Sequence, residues 1–131
     1  MLVVDASILL IAFLADEEDP NWESLLASHD DLVAPWLLWI EVRNIVLTAE
    51  RRHRLTDTIA DSVMHAIDSI GIDYDTAPRS DVVLRIARNQ SLLAYDALYL
   101  ELAIRRGAIL ATQDHALQWA AAAEGISVTS G

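Results

Sequence analysis

Short apolar runs of strand length alternate with amphipathic runs of helical period along this sequence, and that rhythm restricts the fold more than any other feature. Such alternation argues for an α/β architecture, with a parallel sheet whose strands are joined by helical crossovers. Leu2–Asp5 reads as a short buried strand running straight into a helix near Ser7–Ala15. Asn21–Ser28 reads as a short helix after Pro20, and Leu32–Ala34 as a brief strand. Pro35 is placed to open a long helix reaching about Arg52. The pattern then predicts a helix over Thr56–Ile70 stopped by Gly71, a strand at Ile72–Tyr74, and helices over Ser80–Asn89 and Tyr95–Arg106. Gly107 ends the last of these. A strand at Ala108–Ala111, a helix over Asp114–Glu124 ended by Gly125, and a last strand at Ile126–Val128 complete the reading.

No repeat or Pro/Gly-rich linker interrupts the chain, so residues 1–131 are expected to form one domain. With 53% hydrophobic and 22% charged residues, the composition is too apolar for disorder. The absence of cysteine excludes disulfides and thiolate metal sites. Ile8–Leu14 has the apolarity of a signal-peptide core, but no Lys or Arg precedes it, Asp5 interrupts the run, and Asp16-Glu17-Glu18-Asp19 follows. The run is also too short to span a bilayer. The expectation is a cytoplasmic protein without a membrane partner.

Four acids sit where acids are rare. Asp5 ends Leu2-Val3-Val4, Glu41 follows Trp36-Leu37-Leu38-Trp39-Ile40, Asp96 lies in Tyr95-Asp96-Ala97-Leu98-Tyr99-Leu100, and Asp114 follows Ala108-Ile109-Leu110-Ala111-Thr112. Helical spacing puts Glu41 on a face with Leu37, Leu38 and Ile45, and Asp96 on a face with Leu92, Leu93, Tyr99, Leu100 and Ala103. Asp5 and Asp114 fall near strand ends, where open parallel sheets bind ligands. Taken singly, each has a plainer reading: Asp114 favours a helix N-terminus, and Ser7 and Thr112 serve as caps. Taken together, a shared site is the better reading, because unpaired buried carboxylates are costly. A hard cation such as magnesium, with manganese as the alternative, would hold them together. It would polarise a phosphoryl oxygen and activate water, the requirements of phosphodiester hydrolysis.

The net charge of −11, with every one of the nine basic residues an Arg, counts against a free-standing high-affinity nucleic-acid binder. It leaves open a metal enzyme acting on RNA, since a bound ion offsets the local carboxylates. Phosphate contacts then fall to Arg. Arg51-Arg52-His53-Arg54 is the densest basic cluster, and its plainer reading is the solvated end of a helix, as it is for Arg105-Arg106. Glu101 and Arg105, four residues apart, read as a surface ion pair. His29, His53, His65 and His115 share no motif and are taken as structural or surface residues. Trp22, Trp36, Trp39 and Trp119 fit apolar helix faces and are taken as core or dimer interface rather than base-stacking platforms.

The segments Val3-Val4-Asp5-Ala6-Ser7-Ile8-Leu9, Ile40-Glu41-Val42-Arg43-Asn44, Ala94-Tyr95-Asp96-Ala97-Leu98-Tyr99-Leu100 and Leu110-Ala111-Thr112-Gln113-Asp114 together resemble the PIN-domain family. The likeness is nearest to the VapC-type toxins of bacterial toxin–antitoxin pairs, and it runs through essentially the whole chain. The resemblance implies a Rossmann-like three-layer α/β domain, with a central parallel sheet of four to five strands flanked by helices. It also implies a magnesium-dependent endoribonuclease with Asp5, Glu41, Asp96 and Asp114 as its acid pocket. Asp5 and Asp96 would be the principal metal ligands, with Glu41 and Asp114 holding water or a second ion. Ser7 and Thr112 would be supporting hydroxyls, and Asn44 would orient Glu41. The implied partners are an RNA substrate, a second copy of the chain, and a small antitoxin reaching into the acidic groove, often with an Arg.

The competing reading is a non-catalytic PIN-like module that binds a partner, against which stand the four retained acids. Other acidic α/β phosphoryl-transfer classes fit less well. A receiver needs a Lys that this chain lacks, the haloacid-dehalogenase pattern wants an Asp where Ser7 stands, and no Gly-rich phosphate loop is present.

Overall fold

The computed structural model describes residues 1–14, 20–29 and 31–129, with the backbone alone over 20–23. The elements are β1 (Leu2–Val4), α1 (Ala6–Phe13), α2 (Pro20–Ser28), β2 (Leu32–Pro35), α3 (Leu37–Arg51) and α4 (Asp57–Asp68). There follow β3 (Asp73–Asp75), α5 (Ser80–Gln90), α6 (Ala94–Arg106), β4 (Ile109–Ala111), α7 (His115–Ala123) and β5 (Val128–Thr129). The strands form one five-stranded sheet in the order β3-β2-β1-β4-β5, with every pairing parallel. This is the α/β architecture that the alternation predicts. Ala15 of the first expected helix lies outside the described residues.

β1 is central, between β2 and β4, and its Leu2, Val3 and Val4 have no exposed surface. A strand buried on both faces must be apolar throughout, which is why it reads as an uninterrupted run. Helices α1, α3 and α4 pack on one another, while α6 lies against β1, β2 and β4 and carries α5. Leu38, Ile86, Leu100 and Leu110 are fully buried between these layers. Each such side chain contributes about 1.5–3 kcal/mol on burial.

Three expectations need correction. The helix expected from Pro35 starts later: Pro35 closes β2 opposite Asp75, and Trp36 caps α3 with no side-chain hydrogen bond. The N–H of Trp36 donates to the Asp75 carbonyl at 3.0 Å, so sheet pairing extends past the proline and delays the helix. For two of the tryptophans the core alternative falls, which leaves them the dimer interface. Trp36 is 48% exposed, stacked on Trp39 at 5.2 Å and 16°, and Trp119 is 77% exposed. The Trp22 side chain lies outside the described residues.

The third correction concerns Glu101, which is only 1% exposed. It does pair with Arg105, at 2.7 Å, and it also accepts the backbone N–H of Arg79 at 3.2 Å. The i, i+4 spacing shows the pairing but not its depth. Helix α6 is covered by β-strands on one side and α5 on the other, so Tyr99 to Ala103 are buried in succession. Arg105 bridges further to Asp75 at 2.6 and 3.0 Å, and Arg106 reaches the same carboxylate at 3.3 Å. The pair Arg105-Arg106 is therefore engaged rather than solvated. The Arg105 guanidinium, and after it the Arg106 hydrogen bond, hold the Asp75 carboxyl down at about 2 against the penalty of burial.

Thr56 caps α4, its hydroxyl accepting the Ile59 N–H at 3.2 Å. Thr56→Ala is expected to lower stability by about 1 kcal/mol. Urea unfolding reads this directly, and an unchanged midpoint would show that the cap does not matter here.

Candidate active site

The site is assembled at the carboxyl edge of the sheet, where β1 and β4 hand over to helices. Asp5 follows β1 and is the N-cap of α1: its Oδ1 accepts the Ile8 N–H at 3.2 Å and the Ser7 hydroxyl at 2.6 Å. The Thr112 hydroxyl, fully buried after β4, donates to Oδ2 of Asp5. Thr112 in turn accepts the Asp114 N–H at 3.0 Å, and Ser7 accepts the Gln113 N–H at 3.0 Å. Ser7 and Thr112 thus stitch the β1–α1 turn to the β4–α7 turn with Asp5 between them. Neither is a helix cap; the caps are the acids themselves, since Asp114 caps α7 through the Leu117 N–H at 3.2 Å.

Asp96 lies in the first turn of α6, and Glu41 lies one turn inside α3. Helices α1, α6 and α7 therefore all begin at or beside an acid of this group. The partial positive charge of each N-terminus offsets some of the carboxylate charge.

That compensation is incomplete. Burial raises the pKa of Asp5, and the Asp114 charge raises it further, against the hydrogen bonds from Ser7, Thr112 and Ile8. Burial likewise raises Glu41, opposed by its bond from Tyr99 and reinforced by the charges of Asp5 and Asp96. Asp96 is raised by burial and then by Asp114. Asp114 thus acts on Asp5 and Asp96, and Asp5 and Asp96 act on Glu41, across segments far apart in sequence. Among the described residues none of them forms an ion pair. Arg43, two residues from Glu41, is turned away: it binds Asp68 at 2.9 Å and lies 3.6 Å over the Trp39 ring.

The donor set is oxygen only, which suits a hard divalent ion. Among the described residues, no group of three or more His, Cys, Asp or Glu side chains is gathered to ligate one ion directly. A hard divalent ion that keeps several waters needs only one or two of these carboxylates. Asp5, Glu41 and Asp96, raised by burial first and by neighbouring acids second, have no cationic partner among the described residues, which marks a candidate functional site.

Sequence reasoning passed over Tyr99. Its hydroxyl donates to Oε1 of Glu41 at 2.7 Å, from a side chain 3% exposed. Asn44, expected to orient Glu41, is exposed instead. It lines the apolar groove between α1 and α4 with Leu10, Ile45 and Leu55, and makes no hydrogen bond to Glu41 among the described residues. Tyr99 stands three residues after Asp96 in the expected helix, which placed it on the acid's face but could not show what its hydroxyl meets. His53, His65 and His115 are exposed, and His29 bonds to the Leu25 carbonyl and Ser28. Arg51, Arg52 and Arg54 are exposed at the end of α3, and Arg52 and Arg54 border the same groove as Asn44.

A parallel five-stranded sheet with helical crossovers and acids at its carboxyl edge defines an α/β class, and a family model narrows it. The PIN domain model matches residues 2–123, and the chain belongs to the PIN-domain family. Among solved structures it is similar to PAE2754 from Pyrobaculum aerophilum, at 26% identity and a TM-score of 0.75 over 97% of this chain and 89% of that one. It shares its fold with FitAcB from Neisseria gonorrhoeae (17% identity, TM-score 0.73, 99% of this chain and 97% of that one). The same holds for VapBC2 from Rickettsia felis bound to a DNA fragment from its promoter (15% identity, TM-score 0.67, 98% and 96%). No curated protein sequence matches the chain. Among the described residues, no helix is long and apolar enough to cross a membrane.

Proposed function

We propose that this chain is a divalent-metal-dependent endoribonuclease that hydrolyses RNA phosphodiester bonds as the toxin of a cytoplasmic toxin–antitoxin pair. The observation that carries the reading is the group Asp5, Glu41, Asp96 and Asp114, whose charges oppose one another and which no cation of the described chain offsets. Asp5 and Asp96 would hold magnesium or manganese, and Glu41 and Asp114 would orient water or hold a second ion. Ser7 and Thr112 fix the Asp5 carboxylate, so that its oxygens face the site in one orientation. When bound, the ion supplies Lewis acidity and lowers the pKa of water.

The partners follow from the same charge logic. A phosphate or an inserted guanidinium from a small antitoxin would complete the acid group, and the likeness to FitAcB and VapBC2 supports an antitoxin partner. The exposed arginines 51, 52 and 54 are available to RNA phosphates, and a homodimer would bring two such sites together.

Cleavage of a fluorescent single-stranded or structured RNA is expected with magnesium or manganese and is lost with chelator. Asp96→Asn, which keeps the size of the side chain, is expected to lower the rate by about a hundredfold or more. RNA left intact by the wild-type chain with either ion, together with no metal binding by calorimetry, would replace this reading with the partner-binding module.

A further inference from the structure

We infer that the buried hydroxyl of Tyr99 is the positioning group for Glu41, so that the two act as one unit in the reaction; this rests on the nuclease reading above. Glu41 is half-buried on α3 and carries three free side-chain torsions, whose freedom opposes any single presentation of its carboxylate. Tyr99 removes that freedom at one oxygen: its hydroxyl donates to Oε1 at 2.7 Å across 58 residues of sequence. Oε2 has no hydrogen-bond partner among the described residues and is the oxygen left for water or a cation. No neighbour substitutes for the phenol. Arg43 is committed to Asp68 and Trp39, and Asn44 lines the apolar groove between α1 and α4 and makes no hydrogen bond to Glu41 among the described residues.

The placement on α6 matters as much as the bond. Tyr99 is 3% exposed, in a stretch of α6 where Leu100, Leu102 and Ala103 are buried as well, and close packing of such an interior restricts its ring. Asp96 lies one turn earlier on that helix. One rigid element thereby sets the position of Asp96 directly and of Glu41 through the phenol, although Glu41 belongs to a different helix.

Tyr99→Phe keeps the ring and removes only the donor. In the full-length chain it is expected to lower kcat about tenfold, the scale of a hydrogen bond to a charged group, with KM changed less than about twofold. The readout that a merely structural role would not move is a double-mutant cycle with Glu41→Ala, which removes the acceptor. Manganese binding, followed by electron paramagnetic resonance, is expected to weaken about threefold on Tyr99→Phe in the native background and to stay unchanged in the Glu41→Ala background. Equal effects in both backgrounds, or none in either, would overturn the inference. The thermal midpoint is measured for each variant; should Tyr99→Phe lower it by more than about 10 °C, Tyr99→Met, which also lacks the donor, is put through the same cycle with the same criterion. A coupled manganese cycle in a chain that cleaves no RNA would sink the nuclease reading and leave Tyr99 as the positioning group of a metal site. Normal cleavage with an additive cycle would sink the role of Tyr99 alone.

Discussion

Asp5→Asn is expected to abolish RNA cleavage while leaving the fold as stable as before or more so. The activity side follows from the proposed role: losing a principal ligand removes electrostatic stabilisation worth several kcal/mol, at least about a hundredfold in rate. The stability side follows from the site's electrostatics. Asn is as good an N-cap as Asp; its Oδ1 still accepts from the Ser7 hydroxyl and the Ile8 N–H, while its Nδ2 replaces the acceptor of Thr112 with a donor, so that the Thr112 hydroxyl must turn to accept from it. Burial raises the Asp5 pKa, so the folded chain binds that proton more tightly than the unfolded one. Stability therefore falls as pH rises from the usual carboxylate range through the raised value, and at neutral pH the ionised group opposes folding. A neutral amide removes that opposition. Differential scanning calorimetry at neutral pH should show a melting temperature equal to or above wild type without metal. Adding manganese should then raise the wild-type value but not the variant's. Cleavage by Asp5→Asn at the wild-type rate would remove the assigned site.

The second large effect is one of stability. Arg105→Ala strips the guanidinium from Glu101, which is 1% exposed, and from Asp75, whose side chain is 8% exposed. Breaking a buried pair by deleting one partner costs about 3–5 kcal/mol, because the other charge stays buried. Arg105→Lys should recover only part of this, since one ammonium cannot reproduce the fork that engages both carboxylates. Urea midpoints order the three proteins, and a loss under about 1 kcal/mol for Arg105→Ala would show that water reaches Glu101 freely. A pH series adds a signature. The Asp75 pKa is depressed to about 2, so its contribution is fully present above the unfolded value near 3.8 and is lost as pH falls through about 2. Arg105→Ala should flatten the stability curve in that window relative to wild type.

How much of this was legible depends on the range of the interaction. Strands such as Leu2–Val4 and helices such as Ala94–Arg106 announce themselves because each carries its own period and its own stop signal, Gly107 ending the latter in left-handed geometry. The acids stood out because each broke an apolar run, and the structure brings their charges within reach of one another. What stayed hidden was set by atoms distant in sequence. Tyr99 looks like any apolar-face residue until α3 places Glu41 against its hydroxyl. Glu101 and Arg105 advertise a helix-surface pair, and only the packing of α6 between sheet and α5 reveals that the carboxylate is buried. Pro35 carries a helix-opening signal that sheet pairing with β3 overrides.

The Arg105 and Arg106 contacts have a consequence at the rim of the sheet. β3 is an outermost strand, so one row of its backbone groups has no neighbouring strand, and such a row is a template for association with other chains. This strand consists of Asp73-Tyr74-Asp75, with Arg106 3.9 Å from Asp73 and Arg105 and Arg106 both on Asp75. An incoming strand would meet acidic side chains already wired to the fold and would have to dislodge them to pair. The bonds that anchor α6 thus also guard the rim against sheet extension between molecules.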